Sequence, residues 1–336
     1  MLIIAMKIKK LLSVILSALM LVSVAALAGC GSSKEKVIIY TAAEDYRIDH
    51  IRSRLSEQFP DYDVTIEYMS TGELAAKLIS EGKSSACDII YDLEYNYLLK
   101  LDKAGNLADV SGLCDEAQFT DDTIVSKNYV PTYRNGGAII LNTDVLKEKG
   151  LAEPESYDDL LKPEYKGLIS MPNPKSSGTG YMFYKSLVNA WGEEKALKYF
   201  DSLTENILSY TSSGSGPINS LIQKEVAIGL GMTPQAVTKI NEGRTELKIK
   251  FFDEGSPYCL YGQSIIKGKE SKEAVKEVFK FLSGKLTEEN TEKFCPEKIY
   301  KDKNFSVDNF PSDIKYADMS GDTPEAKEDL LAKWKY

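Results

Sequence analysis

The sequence predicts an α/β protein of two lobes, each a mostly parallel sheet flanked by helices, joined by two extended crossover strands. Three observations carry this. Apolar runs and helical patterns alternate as strand, helix, strand, helix, strand over residues 37–91. An extended run, Gly136-Gly137-Ala138-Ile139-Ile140-Leu141-Asn142, opens on permissive glycines where the chain leaves the first lobe. A strand-and-helix pattern over 264–282 brings it back. Such alternation describes right-handed βαβ units on a parallel sheet.

Val37-Ile38-Ile39-Tyr40-Thr41 is a compact apolar run and reads as a buried strand. Ile48, Ile51 and Leu55 place an apolar face on a helix to about Phe59, ended by Pro60-Asp61. Val64, Ile66 and Tyr68 alternate as a second strand. Ser70-Thr71-Gly72-Glu73 has capping-box spacing, and Leu74, Leu78 and Ile79 give the helix behind it an apolar face. Cys87-Asp88-Ile89-Ile90-Tyr91 is a third strand. Parallel sheets bind ligands beyond the carboxyl ends of their strands. Those ends carry Thr41 to Glu44, Ser70-Thr71, and Asp92 to Glu94.

The second lobe has a strand at Leu168-Ile169-Ser170-Met171, helices over about 179–190 and 193–203, and a buried strand at Val226-Ala227-Ile228-Gly229-Leu230. Leu247, Ile249 and Phe251 alternate, and the chain re-crosses near Gly255 to Gly262. Ser264-Ile265-Ile266 and a helix from Ser271 to Leu282, closed by Gly284, rejoin the first lobe. The lobes are thus 37–134 plus 261–336, and 135–260, with hinge residues near Tyr133 to Ala138 and Gly255 to Gly262.

Ahead of these lobes lie Lys7, Lys9 and Lys10, an unbroken apolar run from Leu11 to Ala28, and Leu27-Ala28-Gly29-Cys30. A basic stub, an apolar segment and small residues are the layout of a secretory signal. The final tetrapeptide resembles a lipobox: cleavage before Cys30 and acylation of its thiol would anchor the chain to the outer face of a membrane, and two acyl chains suffice for that. A plain transmembrane helix is the competing reading, disfavoured by Gly29-Cys30-Gly31-Ser32-Ser33, a cleavage-and-linker pattern. Residues 30–36 form the tether, and translation from Met1 or from Met6 fits equally.

Loss of residues 1–29 leaves 307 residues and shifts the formal charge from −9 to −12. That length suits two lobes. The acidic balance argues against nucleic acid, which demands clustered Lys and Arg. Cys87, Cys114, Cys259 and Cys295 remain; export permits disulfides, with Cys87–Cys114 and Cys259–Cys295 as candidate pairs, and buried free thiols fit equally well. No CxxC spacing points to zinc.

One device recurs in the second lobe. Pro174-Lys175-Ser176-Ser177-Gly178-Thr179-Gly180, Thr211-Ser212-Ser213-Gly214-Ser215-Gly216-Pro217, and Gly231-Met232-Thr233-Pro234 each precede a helix, with Thr233 expected to cap the last. A helix start leaves N–H groups unpaired and carries partial positive charge, so it can hold an anion. Ser, Thr and Gly are also ordinary caps; these runs are longer than a cap needs, and Ser70-Thr71 repeats the chemistry in the first lobe.

The order of these features resembles the solute-binding subunits of ABC importers, of the two-lobed periplasmic-binding-protein type II, and within them the ferric, phosphonate and sugar-phosphate branch. The resemblance spans essentially the mature chain and rests on the lipobox, Tyr129 to Asp144, Ser176 to Tyr184, Glu225 to Leu230, and Glu254-Gly255 to Gly268. It implies a monomer that takes a small-molecule solute by lobe closure and docks on a membrane permease with a cytoplasmic ATPase. It implies no cofactor and no catalysis. In the ferric binders an anion sits on the loop matching Ser177-Gly178-Thr179, and iron is held by a His, a Glu and a tyrosine pair. Here Glu44 falls about where the His would be, Leu93 between Asp92 and Glu94 where the Glu would be, and Met232-Thr233-Pro234 where the tyrosines would be. Without phenolates, Fe(III) loses its strongest donors, and an anion becomes the better expectation.

Ser176, Ser177, Gly178, Thr179, Ser213, Gly214, Ser215 and Thr233 are then the candidates for a phosphonate, phosphate or carboxylate. Thr41, Glu44, Ser70, Thr71 and Asp92 would line the facing lobe, where Glu44 and Asp92 would meet an amine or hydroxyls or else be ordinary surface carboxylates. Fe(III) or polyamine binding by the same fold is the alternative ligand class. An exported sensor or enzyme is the alternative function. The only histidine, His50, lies within the first helix with no motif around it, which counts against histidine-based catalysis.

Overall fold

The computed structural model describes residues 34–124 and 126–336; the signal segment, Cys30 and the start of the tether lie outside the described residues. The first lobe opens with β1 (Glu35–Thr41), α1 (Asp45–Gln58), β2 (Tyr62–Tyr68), α2 (Thr71–Glu81), β3 (Ile89–Glu94) and α3 (Tyr95–Lys103). The apolar stripe of α1 buries Ile48, Ile51 and Leu55. At the start of α2 the Glu73 carboxylate accepts from the Ser70 N–H at 3.1 Å and its hydroxyl at 2.8 Å, as the capping-box spacing predicts. β1 and β3 run parallel, Ile39 opposite Ile89.

The second lobe begins along β4 (Val130–Asn142) and α4 (Thr143–Glu148), then β5 (Ile169–Pro172), α5 (Gly178–Trp191), α6 (Glu193–Leu203), β6 (Ile207–Thr211), α7 (Gly216–Ile222), β7 (Ile228–Met232), α8 (Thr233–Asn241) and β8 (Leu247–Lys250). β9 (Tyr258–Ile265) returns the chain. α9 (Glu273–Phe281), α10 (Thr287–Lys293) and α11 (Pro324–Lys333) complete it.

β4 and β9 are the two crossovers. Their antiparallel pairing runs from Val130 opposite Gln263 to Gly136 opposite Tyr258. Beyond Gly136, β4 pairs with β7 and β8; β9 pairs with β3 at its far end. The described strands therefore follow the order β2-β1-β3-β9-β4-β7-β5-β6, with β8 on β4. β5 is parallel to both β6 and β7. One apolar core packs Val37, Ile51, Ile89 and Phe279 behind the first lobe. Another packs Leu141, Ile169, Phe183 and Phe200 behind the second and extends to Tyr133 and Tyr261 on the crossovers.

The structure corrects or completes the sequence reading at four points. Gly284 does not close the helix at 271–282: it sits in a π-helical turn, Leu282–Leu286, that leads straight into α10. Buried Leu282 and Leu286 continue the apolar face, and the Thr287 hydroxyl donates to the Leu282 carbonyl at 2.7 Å, five residues back, which steadies the wider turn. β6 is a strand that the periodicity missed, because its Ser209 and Leu208 are exposed at a sheet edge. The four cysteines are free thiols: Cys87 donates to the Ile89 carbonyl, Cys295 to the Arg134 carbonyl, and Cys259 lies 3.9 Å from the Met182 sulfur. Finally, residues 318–336 do not keep to the first lobe, for Trp334 packs on Tyr184 and Phe200 of α5 and α6, with ring centroids 5.2 Å apart in each case.

Glu297 is 5% exposed and abuts Gly136, where β4 changes partners. Burial pushes its carboxyl up to about 7, with partial relief from Tyr316 and Arg134. A folded-state pKa above the unfolded value means the native chain keeps a proton the unfolded chain has released, so stability falls as pH rises from about 4.5 to about 7. Glu297→Gln should remove that slope. Urea melts at pH 8 are expected to show the variant more stable by on the order of 2–3 kcal/mol, with near-equal stability at pH 4; equal midpoints at pH 8 would contradict the assignment.

Candidate ligand-binding cleft

The floor of the cleft is built on the crossovers. Tyr133 of β4 and Tyr261 of β9 are cross-strand partners, stacked with centroids 5.2 Å apart and planes at 25°. The Arg47 guanidinium lies 4.1 Å over the Tyr133 ring. Its Nη1 stands 2.5 Å from Asp92 Oδ2 and 3.3 Å from Glu44 Oε2. The Tyr133 hydroxyl donates to Glu44 Oε1 at 3.5 Å. Asp92 holds φ 58, left-handed for a non-glycine residue, where the β3–β9 register shifts between Ile90 and Leu93. Such strain persists only where surrounding contacts enforce it, and the Arg47 pair is one such contact.

Burial raises the carboxyls of both Glu44 and Asp92 against the pull of Arg47. On Arg47 burial acts to release the proton, but Asp92, Tyr133 and Glu44 outweigh it and hold the guanidinium charged. Two carboxyls therefore share one guanidinium, Asp92 fully buried behind it and Glu44 the more open of the two.

The second lobe presents the start of α5. Ser177 is its N-cap, with Oγ accepting from the Gly180 N–H at 3.4 Å. The helix start leaves the amides of Gly178 and Thr179 without intrahelical partners. A Cβ on Gly178 would collide with the Tyr261 hydroxyl and lie 3.8 Å from the Thr71 methyl. The lobes also touch directly, the Gly72 N–H donating to the Ser176 carbonyl at 2.9 Å. A Cβ on Gly72 would stand 2.7 Å from the Lys175 carbonyl, so glycine is what permits that approach. Asn135 of β4 donates to the Thr179 hydroxyl at 3.3 Å, and a Cβ on Gly214 would lie 2.5 Å from that same hydroxyl.

Of the residues expected from sequence, Glu44 and Asp92 come together through Arg47, and Thr71, Ser176, Ser177, Gly178, Thr179 and Gly214 meet where the lobes touch. Others do not join them. The Thr41 hydroxyl is spent on the Ala43 N–H at 3.0 Å and that of Ser70 on Glu73. Ser213 and Ser215 pair with each other at 3.0 Å on a half-buried loop, where Tyr68, 46% exposed, interacts with Ser213 from the facing lobe. Thr233 is not a cap. Met232 keeps extended dihedrals and takes that position, leaving Thr233 as the first helical residue, its buried hydroxyl without a partner among the described residues.

Arg47, Tyr261, Asn135 and Tyr68 were missed by sequence reasoning. For Arg47 a signal existed: positions 47, 51 and 55 share one helical stripe, so a charge stood in an otherwise apolar row. Tyr91 and Tyr184 are core residues at 1% and 0% exposure.

A family model described as bacterial extracellular solute-binding protein matches residues 74–318. The chain belongs to that family. Like those of other solute-binding proteins, its fold recurs among solved periplasmic binders. AfuA from Actinobacillus pleuropneumoniae, solved with exogenous fructose-6-phosphate bound, superposes with TM-score 0.78 at 23% identity, covering 90% of this chain and 98% of its own. The periplasmic binding protein P5PA gives 0.77 at 23% identity, covering 89% and 98%. A periplasmic thiamin-binding protein gives 0.74 at 17% identity, covering 91% and 97%. An uncharacterized protein of Haemophilus influenzae is 27% identical over 275 residues, 78% of this chain and 77% of its own. No helix among the described residues is long and apolar enough to cross a membrane.

In this solute-binding protein Arg47→Leu would leave two buried carboxylates unpaired. Unfolding in urea at pH 7 should show a loss of about 3–5 kcal/mol, shrinking toward pH 4 as the carboxyls take up protons. A pH-independent loss below about 1 kcal/mol would mean the pair is solvated.

Proposed function

We propose that this protein is the solute-receiving subunit of an ABC importer and captures a small anion-bearing solute between its lobes. The observation that carries the reading is the start of α5: helix geometry leaves the amides of Gly178 and Thr179 without intrahelical partners, and Gly178 lies against the Tyr261 hydroxyl and the Thr71 methyl of the facing elements. A phosphate, phosphonate or carboxylate placed there gains short donors and the positive end of a 14-residue helix. The opposite wall offers the Glu44 carboxyl, the less buried partner of Arg47, to an amine or hydroxyls. The ligand class is then an amphoteric or polyhydroxylated solute with one acidic head, such as an aminophosphonate or a sugar phosphate. The sugar phosphate held by AfuA supports the same class.

Capture works by closure. A ligand that touches both lobes favours the form in which Gly72 meets Ser176, through contacts the open form lacks. The hinge falls at 134/135 and 260/261, where β4 and β9 pass between lobes and absorb the rotation. The closed chain, tethered by lipid on Cys30, then docks as a monomer on a permease driven by a cytoplasmic ATPase.

Isothermal titration of the delipidated protein against phosphonates, sugar phosphates, polyamines and Fe(III) tests the reading. Heat is expected with an acid-bearing solute, weakened about tenfold by Ser177→Ala or Thr179→Val through loss of one hydrogen bond each. Heat only with a polyamine or with iron would sink it.

A further inference from the structure

Residues 318–336 lie across both lobes, and one lysine joins them. Lys327 of α11 is 2% exposed, its ammonium ion-paired with Glu94 at the end of β3. The same ammonium stands 4.3 Å from the Tyr97 ring centroid on α3 and 4.2 Å from that of Tyr181 on α5. Asp322 repeats the pattern, accepting from Asn96 of α3 at 2.8 Å and from the Tyr181 hydroxyl at 2.5 Å. One carboxylate and one ring of the cage come from the first lobe; the other ring comes from the second.

Both flanks of this point are anchored. Lys103 and Lys100 of α3 pair with Glu325 and Glu328. On the second lobe, Asn189 donates to the carbonyls of Asp318 and Ser320 at 2.9 and 3.0 Å, and Lys333 pairs with Glu193 at 2.8 Å. Trp334 seals the end against Tyr184 and Phe200.

A buried ammonium keeps its charge only if carboxylate and ring faces replace the water it lost. Here the set is complete only while α3 and α5 stay at their present separation, since moving the lobes apart withdraws Tyr181 from Lys327. We propose that the C-terminal segment is an internal latch: caged Lys327 biases the lobes toward closure before any solute arrives, and so contributes to solute affinity from outside the cleft. Lys327 is on this view a positioning residue. The inference is independent of the solute's identity, because the latch acts in the empty protein.

The test is amide hydrogen exchange on the full, solute-free chain, read at single residues. The Gly72 N–H, bonded to Ser176 across the lobes, reports closure; the buried strand residues Ile90 and Leu230 report overall stability. Lys327→Met should speed exchange at Gly72 by at least about tenfold while leaving Ile90 and Leu230 unchanged. Because that variant leaves Glu94 buried and unpaired, the Glu94→Gln/Lys327→Met double variant is measured beside it, and the same selective change is expected. Unchanged exchange at Gly72 in the folded double variant would overturn the latch. So would equal acceleration at all three amides, which marks a residue of ordinary structural weight.

Discussion

A guanidinium with almost no solvent contact organises the first lobe's face of the cleft. Arg47 projects from α1, its strongest partner, Asp92, lies within β3, and its ring partner, Tyr133, lies on β4. Removing three charges from water is costly, and the arrangement is tolerable only because the charges satisfy one another at 2.5 and 3.3 Å. That requirement holds Asp92 in its left-handed conformation at the β3 register shift and keeps Tyr133 beneath the cation. Tyr133 in turn positions Tyr261, whose hydroxyl reaches the start of α5. A chain of contacts thus runs from the buried ion pair through Tyr133 and Tyr261 to the helix start on the second lobe.

Glycines line the places where the segments meet. At 72 of the first lobe and 178 of the second an added Cβ would strike a neighbour across the cleft, and at 214 the Thr179 hydroxyl of its own lobe, so these positions let backbone lie against backbone or hydroxyl. The face of the second lobe bears the unpaired amides at the start of α5, and the first lobe's face bears the Glu44 carboxyl beside Arg47. The C-terminal segment adds a second ion pair, Lys327–Glu94, on the other flank of Tyr261, since Glu94 is the cross-strand partner of that tyrosine. The floor of the cleft is therefore bracketed by two buried pairs.

Much of this was legible before any coordinates. Alternating and 3.6-residue periodicities located β1 to β3 and the helices between them, because each buries one face. Gly136 to Asn142 and Gly255 to Gly262 announced the crossovers, and the Ser-Gly-Thr loop at 177–179 announced the helix start. What stayed hidden depends on tertiary partners. Nothing local marks Tyr261 as the partner of Tyr133, or Lys327 as the partner of Glu94, 233 residues away. Thr233 misled because hydroxyl before a helix is the usual cap signal, whereas here β7 extends through Met232 and uses that position. Gly284 misled for a related reason: glycine ends helices only in the left-handed conformation, which it does not adopt here.

The central claim is that a free acid group of the solute sits on the amides of Gly178 and Thr179. The most direct measurement is to purify the protein under native conditions, denature it, and identify by mass spectrometry what it releases. Close to one equivalent of a small molecule bearing a phosphate, phosphonate or carboxylate is expected, lost when Ser177 and Thr179 are replaced by Ala and Val. One equivalent of iron, or of an amine with no acid group, retained by that double variant, would contradict it.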